Sequence, residues 1–168
     1  MKLERVGQFS VHGVYIGELG DWGFPKDSTN ISLWPSYCES IWKYGRDAEL
    51  VLVDGRFRVA CALHAVLLSY TPPDTNLTTL FANYSSVRSE SSPTNNVIAT
   101  KSKRRTRATP RKMKIMVHDF QRQQHHRVLH YTNVLSCVDT LVVLQPKKTV
   151  NLQKLIADIL TFQTKPDT

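Results

Sequence analysis

The sequence has no long apolar run and no cysteine pair of the Cys-x-x-Cys kind. Because every apolar run is too short to cross a bilayer, no membrane span is expected. The N-terminus lacks the apolar region and cleavage site of a secretory signal, which predicts an intracellular protein of the cytoplasm or the nucleus. The 168 residues, 41% hydrophobic and 21% charged, suit one globular domain.

Cysteine is scarce. Cys38, Cys61 and Cys137 are odd in number and widely separated in the sequence. Disulfide frameworks and zinc sites use even or closely spaced sets of cysteines, so three reduced thiols are expected.

Most of the chain has no excess of basic over acidic residues. Of 22 basic residues, eight fall in residues 101–114, which leaves 14 against 14 acidic residues. Those eight are Lys101, Lys103, Arg104, Arg105, Arg107, Arg111, Lys112 and Lys114. The basicity is therefore local, and the stretch has no aromatic residues that would stack on bases. This basic stretch is interpreted as a solvated insertion, with a nuclear localisation signal or weak nucleic-acid binding as alternatives.

The N-terminal part contains one strand candidate and one helix candidate. Residues 11–16 are predicted to form a strand, and residues 17–25 are dense in turn formers. Residues 32–44 have Pro35 near their start and apolar residues at helical spacing, which predicts a helix ended by Gly45.

The segment from Leu50 to Tyr70 carries the main fold signal. Leu50–Val53 is an unbroken apolar run, too short for a helix, as expected of a central strand covered on both faces. Residues 57–70 are apolar on nearly every side and are predicted to form a buried helix. Strand, short turn and buried helix make one unit of a parallel α/β sheet.

Residues 73–110 are rich in Ser, Thr, Asn and basic residues, and they are predicted to be a disordered insertion in a single domain of residues 1–168. After it, residues 113–117 are predicted to form a strand and residues 121–131 a helix. Two short strands at residues 134–137 and 140–145 are predicted to pair closely. A last helix is predicted after Asn151, which can cap it.

Five segments, taken in order, resemble a poorly characterised family of class I methyltransferase-like proteins. They are Asp21-Trp-Gly-Phe-Pro25, the region of Tyr37, residues 49–64, residues 117–120 and residues 138–143. The most specific is the string Val53-Asp-Gly-Arg-Phe-Arg-Val-Ala60. The resemblance covers residues 6–70 and 113–166.

The resemblance implies a partial Rossmann-like, mostly parallel sheet with flanking helices and S-adenosylmethionine as the cofactor. It makes Leu50–Val53 the fourth strand of the family's sheet and residues 113–117 the fifth. Asp54 and Asp119 then lie next to each other at the edge where cofactor and substrate meet.

The glycine-rich turn that such methyltransferases place after their first strand is absent, since no Gly-x-Gly follows an apolar strand in this sequence. The sequence resembles a member truncated at its N-terminus, without the cofactor-binding half. Little or no turnover of an unknown methyl acceptor is therefore expected. The alternative is a non-catalytic scaffold, whose incomplete sheet associates with a partner or a second copy.

Asp54 follows an apolar strand, where a carboxylate can contact cofactor or substrate or act as a base. It can also cap the following helix, or bind a metal together with Asp119. Gly55 gives the turn backbone freedom and is placed with Asp54 at the cofactor. Arg56 and Arg58 can bind a carboxylate or phosphate of the substrate, or form a salt bridge to Asp54.

His118 lies beside Asp119 and is the candidate for proton transfer. His126 and His130 have helical i, i+4 spacing but lack the glutamate and third ligand of a zinc helix, so no metal is predicted. Trp22 is placed at the cofactor, with packing as a lid on the core as the alternative reading.

Overall fold

The computed structural model describes residues 11–72, 75–76, 79–82 and 110–166. Within them one sheet contains four strands, which are β1 (Leu50–Val53), β2 (Lys114–Val117), β3 (Thr132–Val138) and β4 (Leu141–Pro146). The strand order is β1-β2-β4-β3. β1 and β2 are parallel, and β4 is antiparallel to both β2 and β3. Three strands thus run in one direction, and the predicted α/β class with flanking helices is confirmed.

The buried helix α2 (Arg58–Tyr70) is the centre of the core, as predicted. Every residue of α2 except Cys61 is buried. Such a helix is stable only when other elements surround it. It packs against β1 and β2 on one side and against α3 (Leu152–Phe162) on another.

The C-terminal helix α3 begins where its cap was predicted. The side chain of Asn151 accepts a hydrogen bond from the backbone N–H of Lys154, at 3.0 Å. Leu155, Ile156 and Ile159 share one helical face and are buried. The amphipathic spacing therefore orients α3 on the core.

The helix predicted for residues 32–44 is broken into three pieces. A 3-10 turn at Ile31–Leu33 precedes α1 (Pro35–Glu39), and a second 3-10 turn follows at Ser40–Lys43. Cys38 and Trp42 are buried, whereas Ile41 and Tyr44 are exposed.

Residues 11–16 do not form the predicted strand, and the prediction was wrong. They form no ladder with any described strand, and the nearest pairing is an isolated bridge between Leu19 and Pro25. Val11 and Tyr15 are exposed, and Ile16 is buried. An apolar stretch becomes a strand only where a neighbour accepts its backbone hydrogen bonds.

The β3 and β4 hairpin confirms the predicted close pairing. Asp139 makes the tight turn by adopting a left-handed conformation, with φ of 54°. Aspartate tolerates this conformation better than most residues, so the turn needs no glycine. The helix predicted for residues 121–131 is a 3-10 helix over Gln123–His130.

The predicted insertion at residues 73–110 lies largely outside the described residues. Its described part includes a helical turn at residues 79–82, and there Leu80 and Phe81 pack against the core. The ring of Phe81 meets the ring of His64 edge-on, with 5.5 Å between their centroids.

The two faces of the sheet differ. Val53, Val117 and Val142 form a buried row beneath the helices. β1 is an edge strand among the described residues, rather than the central strand predicted, and its Leu50 and Leu52 are 57% and 63% exposed. Among the helices of the described segments, none has the length and apolar character needed to cross a bilayer.

Candidate functional site

The carboxyl ends of β1 and β2 bring three polar side chains together. Asp54 directly follows β1, and His118 and Asp119 directly follow β2. The backbone N–H of His118 donates to the carbonyl of Val53 at 3.1 Å, which continues the parallel ladder by one bond. The side chains therefore lie together at the end of the sheet, which the resemblance had implied for Asp54 and Asp119.

The imidazole of His118 lies between the two carboxylates. Its Nδ1 is 3.2 Å from Oδ1 of Asp54, and its Nε2 is 3.9 Å from Oδ1 of Asp119. Because a carboxylate accepts hydrogen bonds, the Asp54 contact favours the tautomer of His118 that carries its proton on Nδ1. The distance from Nε2 to Asp119 is too long for a hydrogen bond.

Asp119 is held in an unusual backbone conformation. Its φ of 55° lies in the left-handed region, which aspartate adopts more readily than most residues other than glycine. Its carbonyl accepts a hydrogen bond from Nδ1 of buried His125 at 2.9 Å. The next residue, Phe120, donates its backbone N–H to the carbonyl of Thr140 at 2.9 Å. These bonds fix the direction of the Asp119 carboxylate.

Arg58 links the two acids from below. Its side chain is 3% exposed, and Nη2 lies 3.5 Å from Oδ1 of Asp54 and 3.3 Å from Oδ2 of Asp119. Arg122 adds a weaker contact of 3.7 Å to Oδ2 of Asp119. The salt-bridge interpretation of Arg58 is thus confirmed, and its cation already compensates the charge of both carboxylates.

Arg56 points elsewhere. Its guanidinium carbon lies 4.6 Å above the centre of the Phe24 ring, a cation–π contact. Arg58, four residues after Asp54, contacts Asp54 and Asp119 instead. Trp22 is 85% exposed, has a left-handed φ of 58°, and is not among the described residues that line the cleft beside β1.

The helix-capping interpretation of Asp54 was wrong. The N-cap of α2 is Phe57, and no side-chain hydrogen bond caps the helix there. The Asp54 carboxylate, 53% exposed, meets His118 and Arg58 instead.

Gly55 permits a close approach of an aromatic side chain. A Cβ at this position would collide with the hydroxyl of Tyr37 and would lie 3.3 Å from its Cζ. Burial raises the pKa of Tyr37, and the nearby thiols of Cys61 and Cys38 add to this effect. The space at Gly55 is therefore filled by the protein itself.

A cleft of about 540 Å³ runs along β1 and reaches Asp54. Its walls come from β1, from the α1 region and from the N-terminal segment. The lining includes Val14, Tyr37, Ile41, Leu52, Asp54 and Cys61. Apolar walls with a carboxylate at one end suit a small organic ligand.

The described residues contain no group of three or more histidine, cysteine or acidic side chains that could hold a metal ion. His126 and His130 lie in a 3-10 helix, which places residues i and i+4 roughly 120° apart rather than on one face. The guanidinium of Arg58 also lies where a cation shared by Asp54 and Asp119 would bind.

S-adenosylmethionine fits only part of this site. Asp54 and the apolar cleft offer a carboxylate and a hydrophobic wall, but Tyr37 fills the space at Gly55 that a ligand would need for close approach. The described residues after β1 and β2 provide no glycine-rich turn. The described residues therefore fit only part of the cofactor.

Arg122, His125 and Tyr37 complete the site but had no site role in the sequence analysis. The spacing of Arg58 from Asp54 was a usable signal, because residues four apart can pair at the start of a helix. No local signal links Tyr37 to Gly55, since their contact depends on the tertiary fold.

Comparison of the sequence with models of protein families and with curated proteins gives no significant match. Among solved structures, the fold is similar to a methyltransferase-like protein from Silicibacter pomeroyi DSS-3, with 21% sequence identity and a TM-score of 0.58. The similarity covers 90% of this chain and 59% of that protein. The chain therefore spans little more than half the length of its structural neighbour, and the two share a methyltransferase-like α/β fold.

Proposed function

We propose that this chain is a methyltransferase-like protein whose Asp54, His118 and Asp119 face the methyl acceptor, and that the 168-residue chain alone has little or no turnover. The observation that supports the acceptor role is the position of His118 between two carboxylates at the carboxyl ends of parallel strands. The similarity in fold to a methyltransferase-like protein supports the proposed class.

The chemistry of this arrangement is proton transfer. Asp54 fixes the ring of His118 through Nδ1, and Nε2 takes a proton from a hydroxyl or amine of the acceptor, which makes the acceptor more nucleophilic. Asp119 then stabilises the imidazolium that forms, while Arg58 keeps both carboxylates in place. S-adenosylmethionine supplies the methyl group in such proteins.

The tautomer of His118 tests the proposed arrangement. Long-range proton–nitrogen NMR spectra distinguish a proton on Nδ1 from one on Nε2, and a His118→Gln variant assigns the signal. We expect the Nδ1–H form in the wild type and a shift toward the other tautomer in Asp54→Asn. A wild-type ring protonated on Nε2 at neutral pH would contradict the role of Nε2 as base.

Calorimetry tests the second half of the proposal. Titration of the full 168-residue chain with S-adenosylmethionine is expected to give no binding tighter than on the order of 100 µM. Micromolar binding would show that the 168-residue chain holds the cofactor without a glycine-rich turn. If binding is observed, its loss in Gly55→Ala would place the ligand at the wall next to Asp54.

A second candidate function is non-catalytic association through the open face of the sheet. Leu52, Met116 and Val143 form one cross-strand row on that face, and Leu52 is 63% exposed. We propose that a second copy of the chain covers this row. Light scattering should show association that Leu52→Lys weakens and Leu33→Lys, at an exposed site away from the row, leaves unchanged. A compact, cooperatively melting monomer at all concentrations would end this proposal.

A further inference from the structure

Two thiols that are 23 residues apart in sequence are neighbours in the fold. Cys38 lies in α1, and Cys61 lies in the first turn of α2, where its N–H donates to the carbonyl of Phe57. Their Sγ atoms are 3.2 Å apart. The third thiol, Cys137, is exposed on β3. The three cysteines are free, as the sequence predicted, and the fold brings two of them next to each other.

The separation of the two Sγ atoms is about 1.2 Å longer than a disulfide bond. Rotation of the two side chains about their Cα–Cβ bonds covers such a difference. The helices that carry them already pack together. The backbone therefore holds the pair close enough to be joined.

The two thiols differ in access. Cys38 is 1% exposed, whereas Cys61 is partly exposed, and both line the cleft along β1. A reagent that enters the cleft therefore reaches Cys61 more readily than Cys38. This order is what a pair of attacking and resolving cysteines requires.

We propose that Cys38 and Cys61 form a thiol–disulfide exchange site that takes a small-molecule disulfide of the glutathione class. The Cys61 thiolate attacks one sulfur of that disulfide, forms a mixed disulfide and releases one thiol. The Cys38 thiolate then attacks Sγ of Cys61, closes the intramolecular disulfide and releases the second thiol. The two cysteines lose two electrons and two protons, and the external disulfide is reduced to two thiols.

The site does not depend on the proposed methyltransferase-like function, but it affects the same wall of the cleft. The loop closed by the new bond contains β1, Asp54 and Gly55. Closing a loop of this length restricts the unfolded chain. The oxidised protein is therefore expected to melt about 5–10 °C higher than the reduced protein.

The experiment uses the full chain with Cys137→Ser, so that two thiols remain. The protein is treated with oxidised glutathione, quenched in acid, alkylated and weighed intact. We expect a species about 2 Da lighter than the reduced protein, without bound glutathione or alkylation. Peptide mapping should join the peptides of Cys38 and Cys61. A stable glutathione adduct, two alkylated thiols after treatment, or a bond between chains would each overturn the proposal.

Single-cysteine variants test the order of attack. In the Cys137→Ser background, Cys38→Ala should retain one glutathione on Cys61, because no resolving thiol is present. Cys61→Ala should react far more slowly, because Cys38 is buried. Equal reaction of the two variants would contradict the assigned order. Circular dichroism of each variant identifies any loss of fold, and peptide mapping of the Cys137→Ser protein decides the proposal should either variant fail to fold.

Discussion

Asp158 of α3 accepts two hydrogen bonds from the guanidinium of Arg127, one from Nε at 2.8 Å and one from Nη2 at 2.7 Å. The hydroxyl of buried Tyr131 donates a third bond to the same carboxylate at 2.5 Å. Burial acts to raise the pKa of Asp158, but the bonds from Arg127 and Tyr131 outweigh it and lower the pKa below its usual value. The Asp158 carboxylate therefore connects α3 to the 3-10 helix at Gln123–His130 and to the start of β3.

Removal of the Asp158 charge should destabilise the protein. Asp158→Asn is expected to cost about 1.5–3 kcal/mol, because two charge-assisted bonds are weakened and Tyr131 loses a charged acceptor. Urea unfolding measures the change. A double-mutant cycle with Arg127→Met isolates the pair, and an interaction energy near zero would show that the two side chains do not cooperate.

The protein should lose stability on mild acidification through His64. Burial lowers the pKa of His64 to about 4, from an ordinary value near 6.5. The unfolded state therefore binds a proton below pH 6.5 that the folded state does not take up until about pH 4. From pH 7 to pH 5 this difference removes about 2 kcal/mol of stability.

Urea unfolding at these two pH values checks the effect. His64→Leu should lose less stability between them than the wild type, by about 2 kcal/mol. His126→Gln, at an exposed histidine, should keep the wild-type dependence. An identical pH dependence in His64→Leu and the wild type would mean that His64 is not the titrating group.

Arg111 belongs to the basic stretch but serves the fold. It donates to the carbonyls of Arg46 at 2.6 Å and Leu68 at 2.7 Å, and it lies 3.3 Å from the carboxylate of Asp47. Arg111→Met should therefore destabilise the protein by about 2–3 kcal/mol. The neighbouring substitution Lys112→Met, at an exposed residue, should change the free energy of unfolding by less than about 0.5 kcal/mol. Equal effects in thermal melts would refute the structural role.

The contact between Gly55 and Tyr37 predicts that a change at Tyr37 restores stability lost by a change at Gly55. Gly55→Ala should cost about 1–2 kcal/mol, because the added methyl group displaces the half-buried Tyr37 ring. Tyr37→Phe removes the hydroxyl that collides first, so the double variant should regain part of the loss. The test compares the free energies of unfolding of the two single variants and the double variant. If the losses of the two single variants simply add in the double variant, the steric explanation is excluded.

Features that depend on residues close together in the sequence could be predicted from the sequence. The apolar run of β1, the all-round apolar character of α2 and the Asn151 cap each carry their signal within a few residues. The strand prediction for residues 11–16 was wrong, because a strand requires a partner elsewhere in the chain. At the site, the family resemblance implied that Asp54 and Asp119 would lie close together, and both contact Arg58. It did not predict that Arg58 rather than Arg56 would bridge them, because the direction of each side chain follows from how α2 packs.

The long segment between residues 72 and 110 begins and ends at one place on the molecule. The backbone N–H of Arg111 donates to the carbonyl of Ser69 at 2.8 Å, and its Nη2 lies 3.3 Å from the carbonyl of Thr71. Both ends are thus anchored at the C-terminus of α2. Each doubling of a loop's length adds only about 0.6 kcal/mol to its closure cost. A fluorescent reporter or an affinity module inserted at this junction is therefore expected to cost little stability, provided that Leu80 and Phe81 keep their contacts with the core.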